Sequence, residues 1–244
     1  MTLKVIAYAH NGHTDKFGIP RQSREESPIL TRIVFEPDYR IPEALRGIEG
    51  YSHLWLIWGF SEVERKKTKV ESDSWSPTVR PPRLGGNKRM GVFATRSPFR
   101  PNPLGLSSMR LVKVVKSQKS KVESGSLELI VSGADVLDGT PIYDIKPYLS
   151  FSDSHEDAKN GFAEETKNRT FEVVLDPAVA SALHSYCIAD DTVEEICYIL
   201  SQDPHPGYQD DPEREYKMDY AGYTVTFVVN KQAVVVKKIE KMPK

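Results

Sequence analysis

The run HLWLIWGF at residues 53–60 constrains the fold most. It is almost wholly apolar and aromatic, too short to cross a bilayer, and of the length of a buried strand. The flanking segments agree. ILTRIVFE at 29–36 and SSMRLVKVVKS at 107–117 alternate apolar and polar residues, the period that turns one face of a strand inward. LKVIAY at 3–8 and SLELIVSGADVLDG at 126–139 read as further strands, the second ending in an Asp-Gly turn. DIKPYLSF at 144–151 is extended and broken by Pro147, residues 43–50 form a short helical turn, and charged residues 64–76 form an exposed loop. Many short strands with turns between them predict a mainly β N-terminal domain, a barrel.

The rest of the chain has another pattern. PAVASALHSYC and TVEEICYILSQ read as helices. The first has Asp176 as N-cap and Pro177 in its first turn, and the second starts at Asp191 or Thr192. QDPHPGY at 202–208 is a loop, and 216–229 with 232–239 form a hairpin turning near Asn230. We therefore expect a domain at 1–155, a polar linker at 156–165 and a small α+β domain at 166–244. With 39% apolar residues the chain can bury real cores. The opening MTLKVIAYAHNGHTD lacks a signal-peptide layout, and no apolar run suits a membrane span. Cys187 and Cys197 are too few for a disulfide scaffold or a zinc site. A cytoplasmic protein without membrane attachment is expected.

Charge is split unevenly. Residues 1–155 hold 23 Lys and Arg against 17 Asp and Glu, whereas residues 156–244 hold 10 against 17. No carboxylate occurs between Asp73 and Glu123, a gap containing eleven Lys and Arg. Within it, RPPRLGGNKRMGVFATRSPFRPNPLGLS at 80–107 carries six cations, five prolines and four glycines. Prolines stiffen a loop, glycines permit close backbone approach, and arginines offer planar forks for phosphate or carboxylate. The segment reads either as a solvated loop paired with acids elsewhere or as a preformed anion receptor. Nucleic acid is the commonest large anion such a receptor meets.

A second cluster lies in DVLDGTPIYDIKPYL at 135–149, where Asp135, Asp138 and Asp144 neighbour Tyr143, Lys146 and Tyr148. Alternate residues of an extended segment share a face, so these groups could tune one another and supply a general base. The competing reading is a hairpin turn at Asp138-Gly139 with Asp144 and Lys146 as a surface pair. Elsewhere the signals are thin. His10 and His13 lack a third ligand at metal spacing, so no metal is expected. There is no P-loop and no strand-GxGxxG-helix unit.

Taken in order, GIPRQ, GYSHLWLIW, RPPRLGG, RMGVFATRSPFRPNPLGLS and VLDGTPIYDIKPYL resemble the TsaA-like family, whose best-known members are the TrmO tRNA methyltransferases. The resemblance spans residues 3–150 and continues through QDPHPGY. It implies a non-Rossmann β-barrel that binds S-adenosylmethionine, works as a homodimer, and N-methylates the exocyclic amine of threonylcarbamoyl-adenosine beside the anticodon of tRNA. The rivals are a methyltransferase on another substrate and a non-catalytic cofactor- or RNA-binding module.

Carried onto matching positions, the cofactor site would use Pro20, Arg21, Gln22, Ser61, Glu62, Arg96, Ser108, Leu137, Asp138, Gly139 and Thr140. Ser61-Glu62 departs from the His-Gln of the bacterial pattern, which puts side-chain contacts there in doubt. His205 and Gly207 stand where Arg and Ala are usual. For chemistry we expect Asp138 to order the cofactor, Tyr143 to handle a proton and Lys146 to stabilise charge. Arg83, Lys88, Arg89 and Arg100 would contact phosphates, with Asn102 reading a base edge or holding the loop. The aromatic strand around Trp55 and Trp58 would offer a surface for dimerisation.

Overall fold

The structure, a computed structural model, describes residues 2–16, 18–20, 22–24, 26–60, 75–81, 88–116, 126–166, 170–186, 188–202, 211, 213–230 and 233–243. Six strands close into an antiparallel barrel: β1 (Ala7–His10), β2 (Leu30–Phe35), β3 (His53–Gly59), β6 (Leu104–Lys116), β7 (Leu127–Ser132) and β8 (Thr140–Pro147). Their order around the barrel is β1-β2-β7-β6-β3-β8. The closing pair joins Ala7 to Ile142 and Ala9 to Thr140. Two short strands, β4 (Thr78–Val79) and β5 (Met90–Gly91), pair with each other beside it.

The alternation seen in sequence becomes the barrel interior. Ile33, Leu54, Leu56, Met109, Leu129, Val131 and Ile142 share one buried cluster with Ala7, Ala9 and Trp58. Burying such a side chain contributes roughly 1.5–3 kcal/mol, so this layer is what holds six short strands together. Close approach explains one glycine. A Cβ at Gly105 would lie 2.2 Å from the Trp58 ring, so only glycine lets β6 pass under that indole.

The second cluster is built on β9 (Glu172–Leu175), β10 (Glu215–Tyr220), β11 (Tyr223–Asn230) and β12 (Ala233–Lys241), in the order β10-β11-β12-β9. The helices Pro177–Tyr186 and Asp190–Ser201 accompany this sheet. Its core includes Ile196, Ile199, Leu200, Phe227 and Val236, and also Ile29 from the chain leading into β2. Gly12, His13 and Gly18 lie against the same sheet. Gly12 accepts a backbone hydrogen bond from Ala221 at 2.9 Å, and the Met218 side chain packs over Gly18.

Several sequence expectations need correction. Strand β1 begins at Ala7 rather than at residue 3. The expected 216–229 strand is two strands, because Ala221 (φ 49°) and Gly222 (φ 82°) turn the chain within it. The second helix starts at Asp190 after Ala189, without a side-chain cap. β9, not foreseen, pairs parallel to β12. Asp138-Gly139 does make a turn, with Gly139 at φ 72°, but not a hairpin turn. β7 pairs with β2 and β6 while β8 pairs with β1 and β3, so the turn carries the chain across the barrel end. Trp58 is buried and Trp55 is half-buried, its indole donating to Asp153 at 2.8 Å, so neither offers the open dimerisation surface expected of them. No helix among the described residues is long and apolar enough to cross a membrane.

Candidate active site

The register brings the ends of β1, β3 and β7 and the starts of β2, β6 and β8 to one end of the barrel. Ala9 faces Thr140, Gly59 faces Leu104, Trp58 faces Ile142, and Leu30 faces Ser132. Asp138 lies in the turn that enters this end. Its backbone N–H donates to His13 O at 2.9 Å and the Gly139 N–H donates to Ala9 O at 2.8 Å. Its carboxylate lies 3.2 Å from His10 Nδ1 and accepts from the Asn11 N–H at 3.2 Å. The Asn11 side chain in turn donates to Val136 O at 3.0 Å. The turn is therefore held from behind by residues 9–13, while Asp138 and Gly139 face outward and exposed.

The loop after Pro20 closes over the neighbouring strands. Ser23 donates its hydroxyl hydrogen to Ser108 O, and the Arg24 N–H donates to Gly133 O at 3.3 Å. Gln22 accepts from the Arg96 guanidinium at 2.7 Å, joining the N-terminal loop to the basic segment across 74 residues of sequence. Sequence spacing gave no hint of this pairing, although both residues stood on the expected cofactor site. Behind them runs a relay that sequence reasoning missed. The Trp58 indole donates to Ser107 Oγ at 3.0 Å, and Ser107 donates to Asp135 Oδ1 at 2.6 Å. Burial pushes the Asp135 carboxyl up from its usual range, opposed by the Ser107 hydroxyl and by the charge of Arg96. The available signal was a serine at an inward position of an otherwise apolar strand.

The predicted residues thus fall into three groups. Gln22, Arg96, Ser108, Leu137, Asp138, Gly139 and Thr140 belong to this barrel end or the loops over it, and Pro20 is buried two residues before Gln22. Arg21, Ser61, Glu62 and Arg83, with His205 and Gly207, lie outside the described residues. The three residues expected to carry the chemistry, Asp138, Tyr143 and Lys146, are spread along the turn and β8. Tyr143 lies at the near end, its hydroxyl against Gly59. Lys146 stands three residues further along β8, about 10 Å at roughly 3.3 Å per residue, facing Trp55 and ion-paired with Asp144 at 3.1 Å.

The basic segment shows a mixed picture. Lys88, Arg89 and Asn102 are exposed. Arg89 donates to Thr78 Oγ1 at 2.8 Å. Arg100 turns onto its own loop, donating to Thr95 O at 3.1 Å. Part of its cationic charge therefore shapes the loop, and Lys88 and Arg96 project from it.

The chain is similar to known proteins along most of its length. A family model for the tRNA-methyltransferase O N-terminal domain matches residues 8–154, and one for the TrmO C-terminal domain matches residues 168–242. A tRNA (adenine(37)-N6)-methyltransferase of Eikenella corrodens is 41% identical over 189 residues, 78% of this chain and 97% of the relative. The protein of the same name from Escherichia coli K12 is 37% identical over 213 residues, 84% of this chain and 82% of the relative. Among solved structures, TrmO from Pseudomonas aeruginosa superposes with a TM-score of 0.73 at 28% identity, covering 98% of each chain. With both family models and two long, similar relatives in agreement with the barrel, the chain belongs to the TrmO family of tRNA methyltransferases.

Proposed function

We propose that this protein is an S-adenosylmethionine-dependent methyltransferase that N-methylates the exocyclic amine of threonylcarbamoyl-adenosine at the adenosine beside the anticodon of tRNA. Family membership supports the reaction class, since the similar proteins are named tRNA (adenine(37)-N6)-methyltransferases. The observation that carries the reading is the barrel end, where the Asp138 turn, the Gln22–Arg96 contact and the Ser23–Ser108 contact converge. The local chemistry suits the cofactor. Nothing lies within 4 Å of a Cβ built on Gly139, so the turn is open to a ligand backbone-first. Asp138 offers an exposed carboxylate acceptor for an ammonium or for ribose hydroxyls. In this reading residues 137–140, Pro20, Gln22, Arg96 and Ser108 hold the cofactor, which supplies an electrophilic methyl group when bound.

The acceptor nitrogen lies beside a carbonyl and is a weak nucleophile until its proton leaves. Tyr143, at the same barrel end, is the group we assign to that proton. The substrate's threonyl carboxylate would be met by Arg96, which is exposed and gives one guanidinium nitrogen to Gln22 at the same site, rather than by Arg100, which is half-buried and turned onto Thr95 O. Water exclusion and in-line placement of the nitrogen supply the rest of the acceleration. We further assign residues 1–155 as the catalytic domain, 156–165 as its linker and 166–244 as an accessory domain, in a homodimer. Incubating the protein with methyl-labelled cofactor and threonylcarbamoylated or unmodified tRNA tests the reading. Label in the modified tRNA alone supports it. Label in both tRNAs points to another acceptor, and binding without transfer to a non-catalytic module.

A further inference from the structure

On the basis of that reading, we propose that Phe93 and Trp75 form a stacking platform for the unpaired nucleobases flanking the target adenosine. Phe93 is 70% exposed and Trp75 43%, although large aromatic side chains are ordinarily covered. Their ring centroids are 5.6 Å apart and their planes tilted by 42°. The Arg100 guanidinium carbon lies 6.0 Å from the Phe93 centroid. Phe99, 60% exposed, extends the same segment.

The presentation is rigid. Phe93 sits on a 3-10 turn, Val92–Ala94, whose first residue is 1% exposed and anchors it. The Val92 N–H donates to Pro77 O at 2.9 Å and the Thr95 N–H donates to Val92 O at 3.1 Å. Arg96 follows three residues after Phe93 and reaches Gln22 at the proposed cofactor site. A nucleotide whose base entered that site would therefore leave its neighbours beside Phe93. The charge decides what kind of partner fits. The platform lies in the stretch from Asp73 to Glu123, which has eleven Lys and Arg and no carboxylate. Exposed aromatic rings with the Arg100 guanidinium against one of them, on a cationic stretch of chain, match bases on a phosphate backbone, and because paired bases hide their faces, they match a single-stranded loop.

The test is fluorescence anisotropy of a labelled anticodon stem-loop RNA with the full-length protein, which needs no turnover. Phe93→Ala should weaken binding roughly tenfold, the scale of one lost base stack. Phe93→Trp should bind like the wild type, and Phe93→Leu, apolar but without a π-face, should behave like Phe93→Ala. Binding to a blunt RNA duplex should not respond to any of the three. Unchanged stem-loop affinity in Phe93→Ala, or full affinity in Phe93→Leu, overturns the proposal. So does a fall in sedimentation mass in Phe93→Ala, which would assign the patch to a second copy of the chain. A wild type that binds no stem-loop removes the tRNA reading as well. A wild type that methylates tRNA alongside an unaffected Phe93→Ala removes the platform alone.

Discussion

The imidazole of His13 meets the ring of Tyr220 edge-on, with centroids 5.1 Å apart, where the N-terminal loop is clamped to the C-terminal sheet. His13 is 2% exposed and its Nε2 is without a hydrogen-bond partner, so burial pushes its pKa down to about 4. A histidine that protonates less readily when folded than when unfolded gives stability that is complete above its unfolded value and lost as the solution becomes more acid. We expect unfolding free energy to fall between about pH 6.5 and pH 4, by up to about 3 kcal/mol from this group. His13→Phe keeps the ring contact and should flatten that limb in denaturant titrations at several pH values.

Gly12 lies under the same Tyr220, and a Cβ there would fall 2.6 Å from the phenol ring carbon Cζ. Tyr220 cannot simply withdraw, being 1% exposed with its hydroxyl bonded to Glu195 at 3.0 Å. Gly12→Ala should therefore destabilise by roughly 1–3 kcal/mol. Gly50→Ala, where nothing lies within 4 Å, is the matched control and should be close to neutral. Thermal unfolding of the pair measures the difference.

Asp135 is the point where stability and activity should separate. Because burial raises its carboxyl above the unfolded value, the folded state holds the proton more tightly, and stability declines as pH rises through that interval. Asp135→Asn removes the buried charge while keeping an acceptor for Ser107, so the unfolding midpoint at pH 7 should hold or rise. Loss of the charge beside Arg96 should loosen the Gln22–Arg96 contact and weaken S-adenosylhomocysteine binding about tenfold by calorimetry.

Arg32 grips Glu128 with two hydrogen bonds of 2.9 Å on the outer barrel wall. The hydrogen bonds from Arg32 hold the Glu128 carboxyl below its ordinary range, against a smaller effect of burial. That contribution is present above the ordinary carboxylate value and disappears as pH falls. Arg32→Ala should cost roughly 1 kcal/mol at pH 7, with the partly exposed arginine limiting the effect, and the difference from wild type should shrink toward pH 3.

Lys88 is exposed on the acid-free segment. If it faces a phosphate, Lys88→Ala should weaken tRNA binding and lower the slope of log affinity against log salt by about 0.7–0.9. An unchanged slope assigns its charge to the protein surface alone.

Much of this was legible because local patterns and tertiary demands agree. ILTRIVFE alternates in sequence and its inward residues Thr31, Ile33 and Phe35 are buried in β2. Asp176 was expected as a cap, and its carboxylate accepts from the Ala178 N–H at 3.1 Å. What escaped depends on contacts between distant segments. Alternation places Ser107 inward, yet only the fold brings Trp58 and Asp135 to its hydroxyl. Likewise DVLDGTPIYDIKPYL gathers its ionisable groups in sequence, whereas β8 spreads Tyr143 and Lys146 along an extended strand. Ala221-Gly222 was overlooked because Ala gives no turn signal, although the adjacent glycine did.

The barrel seam has a consequence for the making of the chain. Ala7 pairs with Ile142, so the first strand waits for more than half of the protein to be synthesised before its second neighbour exists. At about 5–20 residues per second, β1 and β3 would each present an unsatisfied edge to the ribosome's surroundings for several seconds or more. Nascent chains halted before residue 140 should be the species that chaperones hold and that aggregate when they are absent.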